Sequence, residues 1–124
     1  MHLVDTSLWI ETLLGTPLGA AAKREIPPFE SCVVPTLVQH ELYKWLCRER
    51  SQEDAERLIA LTMTCAVVPL DSTIALQSAN IALAHKLHTS DAIIYATALA
   101  ANAELLTSDA HFLGLPGVRY FKKN

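Results

Sequence analysis

Two short runs, "CVV" at 32–34 and "AVVPL" at 66–70, are apolar at every position, the pattern of strands covered on both faces. Three more runs have strand character: "HLV" at 2–4, "ELLT" at 104–107 and "VRYF" at 118–121. Helical patterns separate them. Strands alternating with helices pair in parallel through right-handed crossovers and bury their sheet between helical layers. The expected fold class is therefore α/β, a three-layer α/β/α sandwich with a central, mainly parallel sheet of about five strands. A chain of 124 residues, 51% of them hydrophobic, is the size of an ordinary single domain with its own core, so 1–124 is expected to fold as one unit.

Helix starts are readable from capping chemistry. Thr36 and Gln39 form a T-x-x-Q capping box before a segment with Val38, Leu42, Trp45 and Leu46 on one face, and Ser51 with Asp54 repeats the signature. Alanine-rich helices are expected at about 73–86 and 91–101. The second, "DAIIYATALAA", is apolar nearly all round and belongs in the core or in a subunit contact.

Several classes are excluded or disfavoured. No basic stretch followed by an apolar core and a small-residue cleavage site opens the chain, so a cytoplasmic protein is expected. The most apolar stretches are interrupted by Thr, Pro, Asn or Glu before reaching the roughly 18 to 20 residues that span a bilayer. No membrane partner is expected. Cys32, Cys47 and Cys65 are odd in number and form no C-x-x-C pair, which reads as reduced, buried thiols. The five histidines lack H-x-x-x-H spacing and suggest no zinc site. A net charge of −3 advertises no global field for nucleic acid, so any such contact rests on local patches.

The chemistry lies in the acids. Asp5 directly follows the first strand, Asp109 follows the fourth by one residue, and Asp91 lies in the first turn of the apolar helix. Glu41 sits in the second turn of its helix, between Leu37 and Trp45 at four-residue spacing, on or beside the apolar face. In open parallel sheets, ligands bind outside the carboxyl ends of the strands, where strand order reverses. Four carboxylates meeting there repel one another, and a divalent ion relieves that repulsion. Oxygen ligands in an open cleft suit Mg²⁺ or Mn²⁺, and the natural reaction is phosphodiester hydrolysis. Each acid also has an ordinary explanation: Asp5 and Asp91 as helix caps, Glu41 as a partner of Lys44, and Asp109 as the opening of the turn "SDAH". Asp71, which follows "AVVPL", reads as a cap. Lys44 and Arg48 share a helix stripe with Glu41, and Arg119, Lys122 and Lys123 form a basic tail. Either group can contact phosphate.

The segments "LVDTSLWIE", "HELYKWL", "SDAIIYATALA" and "LLTSDAHF" resemble, in order and across almost the whole chain, the PIN-domain ribonucleases, especially the VapC-type toxins. The resemblance implies a PIN-like fold and a Mg²⁺- or Mn²⁺-dependent endoribonuclease that cuts RNA, works as a homodimer and is silenced by a cognate antitoxin inserting into its groove. The family's acids carry over onto Asp5, Glu41, Asp91 and Asp109, with Asp5 and Asp91 the best matches to its metal ligands. Supporting hydroxyls map to Thr6 or Ser7 and to Thr107. One departure is Ser108, where many relatives have an arginine; this removes a possible phosphate contact. Two further readings carry different predictions: a PIN-like module that binds RNA or protein without cutting, and a hydrolase of small phosphate esters.

Overall fold

Leu3, Val4, Val33, Val34, Leu105 and Leu106 are the heart of the protein, each almost wholly shielded from solvent. They belong to three adjacent strands of a five-stranded sheet in a computed structural model that describes residues 1–123. The strands are β1 (His2–Val4), β2 (Cys32–Pro35), β3 (Ala66–Val68), β4 (Glu104–Thr107) and β5 (Val118–Tyr120). Their order is β3-β2-β1-β4-β5, and every neighbouring pair is parallel. Leu3 stands opposite Val33 on one side and Leu105 on the other.

Six helices complete the α/β/α sandwich: α1 (Thr6–Leu14), α2 (Pro17–Glu25), α3 (Thr36–Glu49), α4 (Gln52–Thr62), α5 (Ser72–His85) and α6 (Thr89–Ala100). They pack chiefly in successive pairs, α1 on α2, α3 on α4 and α5 on α6. The parallel α/β architecture read from the alternation of apolar strands and helices is the one observed. None of the helices among the described residues is long and apolar enough to cross a membrane.

Local departures from the sequence reading have local causes. β2 is buried at all four positions, as its composition requires, but β3 exposes Ala66 and half-exposes Val67 and Val68. The reason is position: β3 is an edge strand with a neighbour on one side only. The capping box at Thr36 does not form. Pro35 runs from β2 straight into α3 as its N-cap without a side-chain bond, Gln39 donates to Thr62 Oγ1 at 3.1 Å, and Thr36 Oγ1 accepts from Leu70 N at 3.4 Å. Ser51 does cap α4, accepting from Asp54 N at 3.1 Å. Asp71 caps α5 through Ile74 N at 2.9 Å. Helix α6 begins two residues before the expected start and is a core helix, burying Ala92, Ile94 and residues 95–98. Cys32 and Cys65 are buried free thiols as expected, whereas Cys47 lies exposed on α3.

Candidate functional site

The chain climbs from β1 through β2 to β3 on one side of the sheet, then crosses back to place β4 on the other side of β1. The strand order therefore reverses between β1 and β4, and a crevice opens at their carboxyl ends. Asp5 and Asp109 leave those two ends. The Asp5 amide still belongs to the sheet, donating to Leu106 O at 2.9 Å, while its side chain begins α1 as the N-cap.

Asp5 is held from all sides. Oδ1 accepts from Thr6 N at 2.8 Å, and Oδ2 accepts from the hydroxyls of Thr107 at 2.7 Å and Ser7 at 3.2 Å. Ser108 extends the network by donating to Ser7 Oγ at 3.1 Å; its side chain is buried against α1, and only 2% of the residue is exposed. Thr107 Oγ1 in turn accepts from the Asp109 amide at 3.0 Å, tying the β4 acid to the β1 acid through one hydroxyl. Thr6 performs a second function with its own hydroxyl, which donates to Glu41 Oε1 at 2.7 Å. Thr6, Ser7 and Thr107 thus all touch a carboxylate.

Asp91, in the first turn of α6, and Asp109 are joined by a residue absent from the sequence reading, His111. Its Nδ1 stands 3.1 Å from Asp91 Oδ2 and 3.3 Å from Asp109 Oδ1, and one ligand atom from each of the three lies within 4.8 Å of the other two. Asp5 and Glu41 lie outside this triplet and reach it through Thr107 and Thr6. The signal missed in the sequence was "DAH": Asp109 Oδ1 accepts from His111 N at 2.9 Å, a two-residue turn that folds the histidine back toward its own acid.

The electrostatics fit a cation. Burial pushes the Asp5 carboxyl up to about 6; its hydrogen bonds from Thr107, Thr6 and Ser7 oppose that, and the charge of Asp109 adds to it. Asp91 is also raised, first by burial and then by Asp109, against the opposing pull of His111 and His88. Among the described residues, no Lys or Arg pairs with Asp5, Asp91 or Asp109. A hard divalent ion matches carboxylates that are clustered, partly desolvated and unneutralised by lysine or arginine.

Beside the acids, Glu41, Thr6, Lys44, Arg48, Trp45 and Ser90 line a recess of about 340 Å³. The helical stripe of Glu41, Lys44 and Arg48 therefore faces one space. Trp45 is half-buried against the core yet shares this wall. Arg48 pairs with Glu49 at 2.9 Å, and in the basic tail Arg119 pairs with Glu25 at 2.8 Å and stacks over Phe121.

This topology with acids at the β1–β4 crevice has a counterpart among known families, and residues 2–117 match the PIN domain. The chain belongs to the PIN domain family. Solved PIN domain structures of similar shape include one from a toxin-antitoxin complex of Klebsiella pneumoniae, 25% identical, with a TM-score of 0.87 and full coverage of both chains. Another is Mycobacterium tuberculosis VapC20, a sarcin-ricin loop cleaving toxin, 20% identical with a TM-score of 0.75 over 90% of this chain and 92% of that one. A third comes from VapBC2 of Rickettsia felis bound to promoter DNA, 13% identical with a TM-score of 0.76 over 98% of both chains. The last two resemblances concern the PIN fold alone. No curated protein matches the sequence.

Proposed function

We propose that this PIN domain protein is a divalent-metal-dependent endoribonuclease, the VapC-type toxin of a toxin-antitoxin pair. The observation that carries the reading is the meeting of Asp91 and Asp109 at the β1–β4 crevice, wired to Asp5 by Thr107. Asp91 and Asp109 would hold Mg²⁺ or Mn²⁺, with Asp5 behind them and Glu41 across Thr6. When bound, the ion supplies charge for the phosphoryl oxygens and a water ionisable near neutral pH.

The protein's own groups do the rest. Thr6 fixes Glu41 through Oε1, while Oε2 takes no hydrogen bond from the described residues and is free to accept a proton from an attacking water. Lys44 and Arg48 face the same recess and bind the phosphates flanking the scissile bond. Ser108, where many relatives carry an arginine, instead braces Ser7.

The antitoxin reading rests on the similarity to the Klebsiella complex and on a second surface. Trp9, Leu13, Ile26, Phe29, Leu58 and Leu61 line an apolar groove of about 640 Å³. An amphipathic antitoxin segment would cover that apolar wall. A homodimer would cover a third surface, where Leu76 and Leu83 of α5 and Leu99 of α6 are 70%, 83% and 51% exposed.

Purified protein incubated with RNA and Mn²⁺ or Mg²⁺ is expected to produce internal cleavage that EDTA abolishes, with far slower turnover of bis-p-nitrophenyl phosphate. RNA binding without cleavage under either ion would make the protein a binding module. Faster turnover of the small ester would make it a phosphoesterase.

A further inference from the structure

His111 is an exposed residue with several local contacts beside the acids. Its side chain is 58% open to solvent, yet its backbone is fixed on both sides and one ring packs against its own. Phe112, fully buried, anchors the neighbouring backbone. The Asp109 carboxylate receives the His111 amide. The ring of His88 meets that of His111 edge-on at a centroid distance of 5.7 Å. Fixing the backbone and packing one ring against another narrows the rotamers open to an otherwise exposed side chain.

The ring nitrogen presented to the acids is Nδ1, at 3.1 Å from Asp91 and 3.3 Å from Asp109. Facing carboxylates alone, Nδ1 carries the proton; with the proton on Nε2 instead, neutral imidazole offers Nδ1 as a lone pair to an ion, and two carboxylates plus one imidazole form a donor set that first-row transition ions accept more readily than Mg²⁺ does. We propose that His111 is a nitrogen ligand of the ion held by Asp91 and Asp109, making the centre a mixed carboxylate-imidazole site that selects Mn²⁺ over Mg²⁺. The assignment rests on the metal reading above and adds to it both a ligand and a preference.

The rival role is that of a stand-in cation: an imidazolium that neutralises the two acids in the empty protein and is expelled when the ion arrives. The two roles have opposite consequences. Removing a ligand weakens binding, whereas removing a competing cation leaves it unchanged or strengthens it.

Titration calorimetry with Mn²⁺ and with Mg²⁺ on the wild-type protein, His111→Ala and His111→Gln separates them. Pulsed EPR of the wild-type Mn²⁺ complex gives a readout that needs no variant. A ligating His111 predicts ¹⁴N modulation in the wild-type spectrum, its loss in both variants, and Mn²⁺ affinity lower by about tenfold or more, with a smaller change for Mg²⁺. Mn²⁺ binding that is intact in the wild type but lacks nitrogen modulation, or that is equal or tighter in His111→Ala, overturns the assignment alone. Failure of the wild-type protein to bind either ion overturns both the assignment and the metal reading beneath it.

Discussion

Asp5 shows how one side chain joins the fold to the candidate site. It caps α1, receives two hydroxyls and is 4% exposed. Its pKa of about 6, against 3.8 for the free side chain, means that the folded state binds a proton more tightly than the unfolded chain. The associated stability is fully present below about pH 4 and is lost as pH rises through 6, a change of about 3 kcal/mol. Asp91 shifts in the same direction. In EDTA, the melting temperature of the wild type should therefore fall between pH 4.5 and 7.5, and that of Asp5→Asn should fall much less. Parallel curves would show that burial of Asp5 carries no such cost. Thr6→Val should leave the fold intact, free Glu41 Oε1 and lower RNA cleavage about tenfold; unchanged cleavage would remove Thr6 from the machinery. Asp5 and Asp109 were legible as candidates because a carboxylate within two residues of a strand end is conspicuous in sequence. His111 was not, because its partners lie 20 and 2 residues away and a search for paired histidines passes over it.

At the level of elements, the positions of α1 and α2 depend on one glycine. Gly19 of α2 is buried against α1, and a Cβ there would overlap the Glu11 carbonyl and press on Thr12 N. Gly19→Ala should cost about 1 to 3 kcal/mol in urea denaturation, with a matching loss of groove geometry around Trp9; an unchanged midpoint would mean that the helices separate freely. The strand positions were readable to within a residue or two: β2 from an unbroken apolar run that a strand buried on both faces needs, the others from short runs rich in Val, Leu and aromatic residues. Capping was less readable. Thr36 and Gln39 have the right spacing, but the rigid Pro35 already turns the chain into α3 and Thr62 claims the glutamine. Edge exposure of β3 was hidden for a related reason: an apolar run announces a strand without announcing how many neighbours it has.

Considered whole, the molecule presents three surfaces with different chemistry: an acidic crevice with a cationic flank, an apolar groove beside Trp9, and a leucine face on α5 and α6. If the leucine face joins two copies, light scattering should give a dimer for the wild type and a monomer for Leu76→Glu/Leu83→Glu with unaltered circular dichroism; a dimer that survives both charges would place the contact elsewhere. The central claim concerns the crevice, and single-turnover cleavage of one defined RNA at fixed Mn²⁺ tests it most directly. Asp91→Asn should cut at least about 100-fold more slowly than wild type while keeping its fold, since the loss of a carboxylate facing the reacting phosphate costs several kcal/mol of transition-state stabilisation. Cleavage by a folded Asp91→Asn at the wild-type rate would contradict the account.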